Sequence, residues 1–273
     1  MRSPAPVFSH RIDSVRLVFG VMSAIALLVL VMPTVVILVT SFTSSESLRF
    51  PPAGYSLRWY QALLDADQMQ QAAWTSLVLA FWTTVLSAVL GTAAALALAG
   101  GRSRWTRAAD TLFMSPLLLP ALAFGFAALV FIYGIGLRPG MALLVLGHTV
   151  VCVPFIIRTT LAALSQLDPA LRDASRSLGA GQWRTFRKIV LPLIAKGVGA
   201  GAFLAFMSSF DNVPVSLFLA DERTEVLPIH LWQQISSNLD VRVASASGVI
   251  VLGTLVLMIL AERFLGLSRQ LRQ

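Results

Sequence analysis

Charge is what this chain has least of. Only 12% of its 273 residues are Asp, Glu, Lys or Arg, while 56% are hydrophobic. An ordinary globular protein carries roughly 25% charged residues. The few charges cluster, and residues 17–45 hold none. Length alone would allow one or two soluble domains, but such charge-free windows exclude them and point to a chain of several membrane spans. Cysteine is nearly missing as well. The single Cys152 lies in an apolar run, so an intrachain disulfide is excluded and the redox compartment is unreadable. A G-x-x-x-x-G-K-[ST] phosphate loop, a G-x-S-x-G serine elbow and an H-E-x-x-H zinc pair are all absent. ATP binding by such a loop is therefore not expected, nor is an intramembrane enzyme, a catalytic residue or a metal site.

What is present is length without charge. A bilayer core needs about 20 apolar residues in a helix, and the sequence predicts six: residues 17–42, 74–99, 112–135, 141–157, 192–215 and 243–261. The first is too long for a signal-peptide core, typically about 7–15 residues, and is expected to be retained. The third contains Pro116 and Pro120, which imply kinks that neighbouring helices satisfy. Gly197 and Gly201, like Ala95 and Ala99, stand one turn apart and allow close helix contact.

Arg and Lys settle the expected orientation. With the N-terminus in the cytoplasm, 16 of the 21 basic residues fall inside and 5 outside, the bias of an inward-facing N- and C-terminus. The net charge of +8 then reflects membrane orientation, and nucleic acid is not needed as a partner.

The longest inward segment, 158–191, contains DASRSLGAGQWRTFRKIVLP at 173–192. Asp168-Pro169 reads as a helix start, an acid that caps free N–H groups followed by proline at the first position. The helix is expected to run to about Leu178, with Gly179 in the left-handed conformation that closes helices. Leu171, Ala174 and Leu178 share one face. Beyond Gly179, Trp183, Phe186, Ile189 and Val190 form an apolar stripe opposite Arg184, Arg187 and Lys188, suited to the membrane surface.

This loop resembles that of permease subunits of binding-protein-dependent ABC importers. Their pattern is Glu-Ala-Ala, three residues, Gly, nine residues, Ile, any residue, Leu-Pro. Here it is Asp173-Ala174-Ser175, three residues, Gly179, nine residues, Ile189, Val190, Leu191-Pro192, with every interval kept. Asp for Glu and Ser for Ala are the departures. The resemblance implies an all-α, six-span subunit of a bacterial inner (plasma) membrane, with a cytoplasmic coupling helix between spans 4 and 5. It implies that Leu171, Asp173, Ala174, Ser175, Leu178 and Gly179 meet an ATP-binding subunit. The implied partners are two ATP-binding subunits, which carry ATP and Mg while this chain has no cofactor, a second homologous permease and an extracytoplasmic substrate-binding protein. The implied mechanism is alternating access driven by ATP.

Two segments, 49–64 and 208–219, with EVLPIHLW after the second, look like the branch that handles spermidine and putrescine. In the first, Ser56 is expected to cap a short helix. That branch ends its fifth span in Asp-Asp, and this chain has Asp211-Asn212, the two residues assigned to the substrate path. Permeases for 4-aminobutyrate, opines, aminoethylphosphonate, iron or sulfate are the alternatives. An ion-coupled secondary carrier needs ionisable groups within the membrane, and His148, Lys196 and Asp211 are the candidates. His148 is read as a packing or pore-lining residue. Asp211 has two readings: inside a helix that breaks at Pro214, or at the interface after a span ending at Phe210.

Overall fold

A computed structural model describes residues 8–101, 103–237 and 240–265. Arg2, Arg269 and Arg272, basic residues at the two ends of the chain on which its expected orientation partly rests, lie outside them. The helices are α1 (Phe8–Ser41), α2 (Arg58–Leu64), α3 (Asp67–Leu98), α4 (Arg104–Leu118), α5 (Ala121–Gly134), α6 (Met141–Ser165), α7 (Pro169–Ser177), α8 (Gln182–Thr185), α9 (Leu191–Phe210), α10 (Val213–Leu219), α11 (Leu227–Ser237) and α12 (Val241–Leu265). A π-turn, Phe186–Val190, joins α8 to α9. Among the described residues no strand forms; one isolated bridge pairs Thr43 with Tyr55.

Among the described residues five helical stretches are long and apolar enough to cross a membrane: Arg16–Ser41, Asp67–Leu98, Met141–Ser165, Gln182–Phe210 and Val241–Arg263. A sixth span exists if α4 and α5 are counted together, but they meet at 105°. The kinks expected in residues 112–135 are therefore a break. Leu119 is extended, with ψ of 142°, and Pro120 caps α5. Steric clash with a proline ring drives the preceding residue out of the helical region. Pro116 by contrast stays inside α4.

Two compact units divide the chain, residues 1–65 with 238–254 and residues 66–237 with 255–273. In the first, Ser41 is a small junction. Its Oγ lies 2.7 Å from the Tyr60 hydroxyl, and Ser245 Oγ donates to its carbonyl at 3.0 Å. The expected Ser56 cap is displaced by one residue: Leu57 holds the N-cap position without a side-chain cap, and Ser56 Oγ, just before it, accepts from the Arg58 N–H at 3.1 Å.

The second unit is built on α3, α6 and α9, which pack against one another. Small residues recur along α3 at one-turn spacing, with Ser76, Ala80, Thr83, Ser87, Gly91 and Ala95 all buried. This lets backbones approach closely. A Cβ on Gly91 would meet Ile156 Cβ at 2.6 Å, and one on Gly201 would meet Ile156 Cα at 2.9 Å. Gly197 likewise lies against Ala163 Cβ and the Thr159 carbonyl. Ile156 is thus gripped from both sides. α10 packs on α5 and α6, and Leu144, Val215 and Leu219 are fully buried there.

Candidate functional site

The loop after α6 builds as its residues dictate. Asp168 Oδ1 accepts from the Ala170 N–H at 2.9 Å, and Pro169 opens α7. At the other end Gly179 donates to the Arg176 carbonyl at 2.9 Å and Ala180 to the Ser175 carbonyl at 3.1 Å. Gly179 has φ of +77°. This pair of bonds is a Schellman closure, which requires the left-handed conformation that glycine adopts without a Cβ penalty.

Of α7 only Ser175 is buried. Its Oγ lies 2.8 Å from Thr185 Oγ1 in α8. Leu171 is 44% exposed and Leu178 88% exposed, and Ala174 and Asp173 are exposed as well. The structure therefore places five of the six expected coupling residues on an open surface and turns Ser175 inward, toward its own chain. The apolar face of α7 is thus left open on a helix fixed at its N-cap, its C-cap and Ser175.

The stripe expected after Gly179 takes a different form from one regular helix. α8 widens into the π-turn, where the Leu191 N–H reaches the Phe186 carbonyl. The cause follows two residues later. Pro192 has no N–H, and its ring would clash with the carbonyl four residues back. One wider turn accommodates it.

At the far end of α9 the helix stops at Phe210. Asp211 is the C-cap; its N–H reaches the Met207 carbonyl at 3.2 Å, and its own carbonyl accepts from Val213 N–H at 3.0 Å. Asn212 Oδ1 accepts from Val215 N–H at 3.1 Å and so starts α10, whose first turn contains Pro214. The helix thus ends at Phe210, as in the second reading of Asp211, and not at Pro214, which lies in the first turn of α10. The Asp211 carboxylate is exposed and, among the described residues, makes no hydrogen bond or ion pair. The two residues assigned to the path thus differ: Asn212 spends its oxygen on the backbone, and Asp211 keeps its charge free. His148 is fully buried in α6 and bridges Ser209 and Ser216, each at 3.0 Å. The sequence singles out His148, but no spacing rule pairs it with those serines, because the break between them sets their separation. Lys196, on α9, is exposed.

Beyond α10 a turn is fixed by Asp221, whose carboxylate accepts from Thr224 Oγ1 at 2.6 Å and Arg223 N–H at 3.1 Å. The Thr224 hydroxyl, aided by the backbone N–H groups, holds the Asp221 carboxyl below the usual carboxylate range. Leu227 N–H then donates to Ser76 Oγ at 2.8 Å, tying the turn to α3.

Known proteins with similar sequences point the same way. The chain is 28% identical over 233 residues to the spermidine/putrescine transport system permease protein PotC of Escherichia coli (strain K12), covering 85% of this chain and 88% of that one. It is 29% identical over 228 residues to the putrescine transport system permease protein PotI of the same strain, covering 81% and 80%. Its fold is shared with a chain of a bacterial alginate ABC transporter in complex with its periplasmic protein, at a TM-score of 0.73, 16% identity, and coverage of 93% and 94%. The profile of the binding-protein-dependent transport system inner membrane component family matches residues 87–269. The chain belongs to that family and is a permease subunit of an ABC importer.

Proposed function

We propose that this permease carries a small cationic amino compound of the polyamine class into the cell, with Asp211 on the path and α7 as the contact to an ATP-binding partner. The observation that carries the reading is the free carboxylate of Asp211 at a helix break. Breaks of this kind mark binding sites in many transporters, and a carboxylate is the complement of an alkylammonium. The names of the two relatives support the same solute class. Charge distribution supports the sidedness: 16 of 21 basic residues fall on the side of the α7 loop.

ATP closure of two partner subunits would move α7 through its open Leu171–Leu178 face, and α9 would transmit that movement to its far end. A second homologous permease completes the path, and a binding protein delivers the solute from outside. No phosphate loop occurs in this chain, so hydrolysis belongs to the partners.

A second reading, a carrier of a solute with a single ammonium group such as zwitterionic 4-aminobutyrate, is favoured by Asn212. The second carboxylate of the Asp-Asp pattern is missing, and the residue in its place is used as a helix cap. The deciding experiment is uptake by the complete transporter in liposomes, with its binding protein, of labelled putrescine, spermidine and 4-aminobutyrate. ATP-dependent uptake of the two polyamines, lost in Asp211→Asn, is expected. Uptake of 4-aminobutyrate alone transfers the assignment to the second reading. Uptake of none of the three, or uptake driven by an ion gradient without ATP, ends it.

A further inference from the structure

The imidazole of His148 touches both sides of the break in the fifth span. Nδ1 lies 3.0 Å from Ser209 Oγ in the last turn of α9, and Nε2 lies 3.0 Å from Ser216 Oγ in α10. All three side chains are buried, at 0%, 2% and 1% exposure. A neutral imidazole donates from one nitrogen and accepts at the other, which suits two hydroxyls that each do either.

The joint it spans is short. Asp211 has φ and ψ of −101° and 14°, and Asn212 of −83° and 79°. Two such residues leave the angle between α9 and α10 open unless something outside the joint sets it. Asn212 only starts α10, and Asp211 only closes α9. α6 supplies the fixed point. Gly147 lets α6 sit against Leu219 and Val215 of α10, where a Cβ would meet Val215 Cγ1 at 3.4 Å. Cys152 Sγ donates to the Ala205 carbonyl of α9 at 3.5 Å. Between these contacts His148 is, among the described residues, the one side chain bonded to both helices.

The serines do not need it. A serine in a helix has an alternative acceptor in the carbonyl about one turn back, so both hydroxyls keep a partner if His148 is removed. The bridge therefore adds little to hydrogen-bond satisfaction and much to geometry.

We infer that His148 is a positioning residue. It holds α9 and α10 at a set angle and so aims the Asp211 carboxylate, acting on transport through Asp211 without touching the solute. This rests on the reading of Asp211 as a path residue.

The test uses the complete transporter with His148→Leu, His148→Gln, Asp211→Asn and the His148→Leu/Asp211→Asn double variant. Leucine fills the space without polar atoms, and the glutamine amide both donates and accepts. With saturating loaded binding protein, His148→Leu is expected to slow putrescine or spermidine uptake about tenfold, the equivalent of one lost contact to a charged group. Basal ATP hydrolysis and assembly stay unchanged. His148→Gln recovers most of the rate, and the double variant is no slower than Asp211→Asn alone. A second readout is independent of transport: the rate at which a polar maleimide labels Asp211→Cys in the detergent-solubilised complex. Buried Cys152 makes the parent chain the blank. His148→Leu is expected to change that rate at 211 and not at a Ser103→Cys control.

Unchanged labelling at 211 overturns the positioning role. Losses that multiply in the double variant, or no recovery with glutamine, overturn its action through Asp211 and leave a packing role. Wild-type uptake in Asp211→Asn removes the path reading itself, and with it the proposed route from His148 to transport, whatever the labelling shows.

Discussion

Ser175 Oγ and Thr185 Oγ1 share a buried hydrogen bond of 2.8 Å that fastens α7 to α8. Ser175 stands where the importer loop pattern has alanine, and Thr185 answers the substitution. That bond holds the middle of α7 between its two caps. Removing either hydroxyl leaves the other only the carbonyl one turn back in its own helix, a loss of up to about 1–3 kcal/mol where that bond does not form. Removing both is expected to cost less than the sum. Ser175→Ala and Thr185→Val should each lower solute-stimulated ATP hydrolysis, with the double variant closer to wild type. Strict additivity in that cycle would show that the two do not act as a pair.

Charge placed on the open face of α7 should uncouple without unfolding. Leu178 is 88% exposed and Leu171 44%, so Leu178→Asp disturbs little within the chain and serves as the cleaner test beside Leu171→Asp. Buried against a partner, an unpaired carboxylate costs on the order of several kcal/mol. Expected are normal membrane insertion, normal thermal stability of the isolated subunit and loss of ATP-driven uptake. Normal uptake in both would make the loop a simple connector.

Gly179 offers a graded series. A Cβ there meets nothing within 4 Å, so the penalty for a side chain is conformational only. Left-handed backbone costs an ordinary L-residue about 1–2 kcal/mol, and asparagine less. The expected order of uptake is Gly, then Asn, then Ala, with Pro lowest because its ring forbids the positive φ. A flat response across the series would separate the turn's geometry from coupling.

Helix contact can be tested at two glycines of opposite expected sign. Gly201→Ala drives a Cβ into the Ile156 backbone, 2.9 Å away, and should destabilise the chain by about 1–3 kcal/mol. Gly253 has open space around it, and Gly253→Ala should be neutral or gain up to about 1 kcal/mol from helix propensity. Thermal denaturation of the purified complex in detergent reads both, and equal shifts would discount the close packing of α6 and α9.

Sidedness has its own check. Tags at either terminus are expected to be reachable only from the cytoplasm, since Arg2 and Arg11 at one end and Arg269 and Arg272 at the other resist translocation. A C-terminal tag labelled from outside intact cells would reverse the orientation or change the number of spans.

Much of the α7 turn was readable in advance. Asp168 as cap, Pro169 at the first position and Gly179 at positive φ are local devices, each decided by a residue and its immediate neighbours. The same holds for long apolar stretches, because a helix satisfies its own backbone and needs only length and hydropathy to be recognised. Prolines were legible as disturbances but not in degree. Pro116 lies within α4, Pro120 separates α4 from α5 at 105°, and Pro192 follows a π-turn. Whether a proline kinks, breaks or shifts a helix depends on what packs around it.

The sequence by itself determined a helical membrane chain, its charge asymmetry and the loop that places it among importer permeases. Each depends on composition or on spacing within one segment. Only the tertiary structure decided that Ser175 turns inward to Thr185, that Ile156 is held between Gly91 and Gly201, and that His148 joins Ser209 to Ser216. These are contacts between helices distant in sequence. Their partners are set by helix rotation, by the close approach that small residues permit and by the angle at each break, none of which a one-dimensional pattern records.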